Sequence, residues 1–153
     1  MARPPIPTWH LTAVVVRKED KFLLVHESTH GQKWYFPAGR VETGESFLEA
    51  AHRETAEEAG IPIEVLGIVR IEHTPRADSA RLRVFFVARP AGDVPLKAEA
   101  DEESLGAEWV RLEDLDRYPL RAPIVRDVLN HVAAGGAVYP VEIIQPEGAP
   151  FPR

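Results

Sequence analysis

The chain is expected to fold as an α/β (α+β) protein, with a mixed β-sheet covered on both faces by two main helices. Three observations lead there. Runs dense in β-branched and aromatic residues, HLTAVVVR, KFLLVHE, IEVLGIVRIEH and ARLRVFFVARP, read as strands. Residues 46–59 and RAPIVRDVLNHVAA at 121–134 repeat apolar residues at helical spacing and read as amphipathic helices. No internal repeat or linker divides the 153 residues, so one domain is expected over 1–153, with its core at 9–135 and a tail at 136–153.

Each element follows from local chemistry. After a proline-rich lead-in, residues 10–17 form a strand, KEDK a turn, and 21–27 a second strand, which together suggest a hairpin. STHGQ is a polar loop, and KWYFPAGR a short extended segment that ends in a turn at Pro37 and Gly39. The helix at 46–59 is marked at both ends. Ser46 followed by Glu49 has capping-box spacing, and Gly60 with Pro62 supplies the stop. Leu48, Ala51, Thr55 and Ala59 would form its buried stripe. Strands at 63–73 and 80–90 flank the connection HTPRADS, and AGDVPLKAEADEES is a polar, acidic loop. AEWVRL is the last core strand, LEDLDRY a turn or short helix, and the second helix ends at Gly135-Gly136. The tail, VYPVEIIQPEGAPFPR, is expected to pair at a sheet edge or pack loosely.

Composition narrows the function. Hydrophobic residues at 44% and charged residues at 27% exclude wholesale disorder. A net charge of −6 argues against a nucleic acid polymer as partner, but permits a small anionic substrate bridged to the acidic groups by a cation. With no cysteine there is no disulfide framework, thiolate zinc site or cysteine nucleophile. The N-terminus lacks a secretory pattern and its longest apolar run is Ala13 to Val16, so neither membrane insertion nor export is expected and the cytoplasm is the default location. Monomer and homodimer both stay open.

The chemistry concentrates in GRVETGESFLEAAHRETAEEAGI, residues 39–61, which holds Glu42, Glu45, Glu49, Glu54, Glu57 and Glu58. Like charges three and four apart on a helix repel. At 100° per residue Glu54, Glu57 and Glu58 share one face, about a quarter turn from the apolar stripe, so they would point into a groove beside the sheet. A solvated acidic face is the competing reading of the cluster alone. A hard divalent cation would remove the repulsion and suits an all-oxygen ligand set, with Mg²⁺ first and Mn²⁺ a workable substitute.

The spacing is more specific than the cluster. Gly39, five residues, Glu45, seven residues, then Arg53-Glu54-Thr55-Ala56-Glu57-Glu58-Ala59-Gly60-Ile61 resembles the signature of the Nudix (MutT-like) hydrolases along its full length. Thr55 departs from it, standing where the family usually has a larger aliphatic residue. The resemblance implies an α/β/α sandwich and a loop–helix–loop that binds divalent metal and a diphosphate. It makes Glu54, Glu57 and Glu58 metal ligands, one of them a candidate base, and has Arg53 orient the cluster, with Glu45 near those carboxylates or paired with Arg53. It adds the backbone carbonyl of Ala38 or Gly39, and an acidic residue from a distant loop, best matched by Glu103, with Glu102 and Glu99 as competitors. KWYFPAGRVETGE, LRVFFVARP, EADEESLGAEWV and PLRAPIV extend the likeness to a small branch of hydrolases that act on oxidised nucleoside diphosphates or thiamin-precursor diphosphates.

The resulting expectation is Mg²⁺-dependent hydrolysis of a phosphoanhydride bond in nucleoside di- or triphosphates, oxidised purine nucleotides included. The alternatives are another diphosphate substrate (a nucleotide sugar, dinucleoside polyphosphate or thiamin precursor), or nucleotide binding without turnover. Candidate substrate contacts are Trp34, Tyr35 or Phe36 for stacking, and Arg40, Arg76, Arg81 and Arg121 for phosphate or ribose, with His73 near the site mouth. Strand alternation lets at most two of the three aromatics face the same way and leaves at least one for the core. Ser46 is better explained as a cap, and His52, towards the polar edge of the buried stripe, as a structural or solvent-facing residue, than as nucleophile and base.

Overall fold

A computed structural model describes all 153 residues. The strands are β1 (Thr8–Lys18), β2 (Lys21–His26), β3 (Trp34–Tyr35), β4 (Ala38–Arg40), β5 (Ile63–Pro75), β6 (Ala80–Pro90) and β7 (Gly106–Arg111). The helices are α1 (Phe47–Ala59) and α2 (Ile124–Ala133), and short 3₁₀ turns lie at His30–Gln32, Leu112–Arg117 and Val141–Ile143. The mixed sheet and its two covering helices are as the sequence predicts.

β1 organises the sheet. It runs parallel to β6 from Thr8 opposite Ala80 to Val16 opposite Ala88, and its other edge is shared. β4 takes the first part, from Leu11 opposite Arg40 to Ala13 opposite Ala38. β2 takes only the end, at Arg17 and Lys18, before leaving to pair with β7 and β3. The expected β1–β2 hairpin therefore forms but is short. The sheet splits at the gap between β4 and β2 along β1.

Parallel strands covered on both faces need apolar residues at successive positions. Val14, Val16, Leu23, Val25, Val84 and Phe86 pack with Ala51 and Ala59 of α1. Ala13, Val15, Phe22, Leu24, Phe85 and Val87 pack with Val125, Val128, Leu129 and Val132 of α2. Full burial of each of these larger side chains contributes on the order of 1.5–3 kcal/mol.

α1 is capped as its sequence demands. Ser46 Oγ accepts the Glu49 N–H at 3.0 Å, the Glu49 carboxylate accepts the Ser46 N–H at 3.2 Å, and Gly60 takes the left-handed conformation at φ 77°. Its buried stripe differs from the expected one. Leu48 is 37% exposed, whereas Ala50, Glu54 and Glu58 join Ala51, Thr55 and Ala59 inside. Alanines bring the helix close enough to the sheet that the two glutamates sit within the packed layer instead of beside it. Thr55 is fully buried and donates its hydroxyl to the Ala51 carbonyl at 2.8 Å, which satisfies the polar group that replaces an aliphatic one.

Other boundaries shift for local reasons. Residues 33–40 divide into β3 and β4 because Phe36 and Pro37 turn the chain between them. β5 and β6 run on to Pro75 and from Ala80, leaving a turn of 76–79 closed by the Arg76 N–H on the Ser79 carbonyl at 2.8 Å. α2 begins at Ile124, after Pro123, instead of at Arg121. The tail does pair at the edge: Tyr139 and Ile68 exchange backbone hydrogen bonds at 2.7 and 2.8 Å.

Candidate active site

Arg53 is the hub of the acidic segment. Its guanidinium holds Glu45 in a two-point pair at 2.7 and 2.9 Å. It reaches Glu54 at 3.0 Å and Glu57 at 3.1 Å, and donates to the Arg40 carbonyl at 2.9 Å. One planar fork thus ties the loop before α1, the face of α1 and β4 into a single unit. Glu45 is held below the usual carboxylate range, first by its hydrogen bonds from Arg53.

Glu54 and Glu58, one helical turn apart, are 8% and 7% exposed. Burial first, then the neighbouring Glu54 carboxylate, pushes Glu58 up to about 10, while the Ala38 backbone N–H pulls the other way. Burial also raises Glu54 against the opposing pull of its partners Glu58 and Arg53. Without a cation the pair favours sharing a proton. Glu54 lies against Gly39: a Cβ built on that glycine would overlap the Glu54 carboxyl carbon and both oxygens. Gly39 is therefore required for close approach.

Gly39 and Glu58 line a cleft of about 340 Å³. Ala38, Gly39, Arg40, Glu58, Glu103 and Glu27 line it together with Leu11, Tyr35, Arg81, Arg83 and Arg121. Glu103 reaches the cleft because Asp101 accepts its backbone N–H and that of Ser104, and also pairs with Lys97 at 2.8 Å. Lys97 and Ser104 in turn donate to the Glu57 and Glu58 carbonyls at the end of α1. The acidic loop is thereby clamped to the glutamate helix.

A NUDIX domain profile matches residues 8–131, which include both the glutamate helix and the cleft. The chain belongs to the Nudix hydrolase family. It is 32% identical to the phosphatase NudJ of Escherichia coli over 147 residues, covering 94% of this chain and 95% of NudJ. It is 38% identical to the 8-oxo-dGDP phosphatase NUDT18 of Mus musculus over 126 residues, 80% of this chain. The chain spans only 37% of that relative's length and 41% of the Homo sapiens protein's. Among solved structures, a NUDIX hydrolase from Nitrosomonas europaea superposes with a TM-score of 0.77 at 28% identity, covering 93% and 99% of the two chains.

On this Nudix scaffold the predicted residues separate clearly. Glu45, Arg53, Glu54, Glu57, Glu58, Ala38 and Gly39 come together, and of the three acidic-loop competitors only Glu103 lines the cleft. Tyr35 is the aromatic residue on the cleft, under the Arg121 guanidinium at 4.6 Å. Phe36 corrects the stacking expectation, being fully buried and edge-on to Phe85 at 6.1 Å. Trp34 is off the cleft as well, stacked on His26 at 4.6 Å and edge-on to Tyr118. Strand alternation turns the three successive aromatics to different surroundings. Arg76 and Arg40 share an adjoining recess, Arg40 also lines the cleft itself, and His73 lines neither space. His52 faces solvent, as expected.

Sequence reasoning missed Thr12 and Glu27. Thr12 is fully buried on the cleft wall and its Oγ1 has no partner. Glu27 pairs with Arg121 at 3.1 Å through one oxygen and leaves Oε1 buried without a partner, and burial raises it above the usual range. The one available signal was a carboxylate closing the apolar run KFLLVHE.

Members of this family generally use a divalent metal, and the donors here suit a hard one: all are oxygens, two are paired buried carboxylates, and Glu27 Oε1 is orphaned. No three acidic or imidazole groups converge as a ready-made cage. Arg53 draws oxygens of both Glu54 and Glu57 to one guanidinium nitrogen, so seating an ion requires those carboxylates to turn away from it.

Proposed function

We propose that the chain is a Mg²⁺-dependent hydrolase of a phosphoanhydride bond in nucleoside di- or triphosphates, oxidised purine nucleotides included. The observation that carries this reading is the buried Glu54–Glu58 pair against the Gly39 turn, beside a cleft lined by both carboxylates and arginines. The relatives named for 8-oxo-dGDP support the nucleotide class. A lining of carboxylates and arginines suits a substrate whose diphosphate is bridged by a cation and whose remainder meets arginine.

Glu54, Glu57 and Glu58 would hold the ion, with a carbonyl of Ala38 or Gly39 and with Glu103 from the opposite loop. Bound Mg²⁺ supplies neutralisation of the diphosphate charge and activation of the attacking water. The chain supplies the rest. Arg53 gathers Glu45, Glu54 and Glu57 by charge-assisted hydrogen bonds, and its two-point hold on Glu45 can persist when Glu54 and Glu57 turn to the ion. Lys97 and Ser104 set the distance between the Glu103 loop and α1. Tyr35, 3% exposed, backs the Arg121 guanidinium, which lies over its ring on the cleft wall and can meet an anionic or polar part of the substrate.

The test is a panel of nucleoside diphosphates, triphosphates, 8-oxo-purine nucleotides, ADP-ribose and dinucleoside polyphosphates, assayed with Mg²⁺ and separate orthophosphate and pyrophosphate detection. Turnover of nucleoside di- or triphosphates, abolished by EDTA and restored by Mg²⁺, is the expected result. Activity indifferent to chelation, or silence on every nucleotide, would overturn the reading.

A further inference from the structure

Past Arg40 and Arg81 the cleft opens sideways into a recess of about 290 Å³, walled by Trp9, Leu11, Arg40, Arg76 and Arg81. Strand register builds it. Trp9 stands opposite Arg81, and Leu11 opposite both Arg83 and Arg40. The odd-numbered positions of β1 and β6 are apolar beneath α2 at Ala13, Val15, Phe85 and Val87. Closer to the start of both strands, where the burial ends, the same face becomes Trp9, Leu11, Arg81 and Arg83. Arg76 arrives from the turn after β5, and Arg40 is held over the Trp9 ring at 4.1 Å.

The charge of this recess is unusual for the chain. Acidic residues outnumber basic ones 24 to 18, and most arginines have an acidic partner. Between β1 and α2, only Arg17, Arg40, Arg76 and Arg81 have no carboxylate oxygen within 4.0 Å. Three of those four meet here. Burial, then the neighbouring Arg83 and Arg76, weakens the hold of Arg81 on its proton. Such an arrangement costs Coulomb energy that an anion would return.

We propose that this recess is a second phosphate subsite: the substrate carries, beyond the anhydride placed at the glutamates, a further phosphate that Arg40, Arg76 and Arg81 bind. The proposal takes its anhydride from the hydrolase reading, but its anion binding does not depend on turnover. β4 and β6 flank β1, so their backbones lie roughly 10 Å apart. That span admits a phosphate farther along the same chain, or one on the sugar.

Two measurements test it. The first is calorimetric binding of inorganic tripolyphosphate to the full chain in EDTA. Arg76→Ala and Arg81→Ala should each weaken binding about tenfold, the scale of one lost charge-assisted hydrogen bond, while Arg17→Ala leaves it unchanged. The second compares kcat/KM for a nucleoside 5′-diphosphate, its 5′-triphosphate and its 3′-phosphate 5′-diphosphate. Wild type should favour one of the two substrates with the added phosphate, which identifies the phosphate's position, and the advantage should shrink about tenfold in Arg81→Ala. Arg76 lies in an exposed turn, so its variant keeps the test open if Arg81→Ala folds poorly. Tripolyphosphate binding within twofold of wild type in both folded variants would overturn the subsite. So would the absence of any preference for an added phosphate among hydrolysed substrates. Arginine-dependent binding without hydrolysis of any of the three supports the subsite and counts against the hydrolase reading instead.

Discussion

Replacing Glu58 by glutamine should make the metal-free protein more stable while abolishing its turnover. Glu58 is 7% exposed, faces Glu54, and is pushed from an ordinary 4.5 up to about 10. A carboxyl raised on folding binds its proton more tightly in the native state. Native stability therefore falls as pH rises from about 4.5 towards 10, because the unfolded chain ionises freely and the folded one does not. At pH 7 the gap from 4.5 is worth roughly 3 kcal/mol, and at pH 5 less than about 1 kcal/mol. Glutamine keeps the shape of the protonated acid, can still accept from Ala38 and donate to Glu54, and carries no charge to bury. Urea unfolding in EDTA should show Glu58→Gln matching wild type near pH 5 and exceeding it by up to about 3 kcal/mol at pH 7, or roughly 6–10 °C in Tm. Added Mg²⁺ should stabilise wild type much more than the variant. A variant less stable than wild type at pH 7, or a gap that does not widen with pH, would refute the reasoning.

Other perturbations probe the supports of the site. Arg53→Lys keeps the charge but loses the fork that joins Glu45, Glu54, Glu57 and the Arg40 carbonyl; it should cost about 1–3 kcal/mol in urea unfolding and at least about tenfold in kcat. Gly39→Ala places a methyl on the Glu54 carboxylate; steady-state kinetics should show a large loss of kcat, with circular dichroism unchanged. Lys97→Met removes the clamp between the Glu103 loop and the end of α1. It should raise the Mg²⁺ concentration needed for half-maximal rate and lower Tm by several degrees, whereas Lys97→Arg should restore part of both.

The legible parts of the sequence were those where one local rule acts alone. Ser46, Glu49 and Gly60 bounded α1 correctly because capping chemistry needs no tertiary partner. Apolar runs marked β1 and β6 because parallel, doubly covered strands admit little else. The spacing from Gly39 to Ile61 named the residues that meet around Arg53. What the sequence hid depends on packing distance and register. Leu48 exchanged places with Glu54 and Glu58 on the helix face because only the approach of α1 to the sheet decides which neighbours are inside. Thr12 joined the cleft by standing opposite Gly39 of β4, and Glu27 by following the end of β2, arrangements that no short motif specifies. The three aromatics after Lys33 were equivalent as letters, and only Tyr35 proved to face the cleft.

The account rests on acidic side chains of α1 holding a hard cation at the Gly39 turn. Anomalous diffraction from a crystal soaked in Mn²⁺ and a non-hydrolysable nucleotide tests that claim most directly. The predicted result is a manganese peak roughly 2.1–2.3 Å from oxygens of Glu54 and Glu58, with the diphosphate completing its shell. A nucleotide seated in the cleft with no metal peak at those carboxylates, or a peak only elsewhere on the surface, would contradict it.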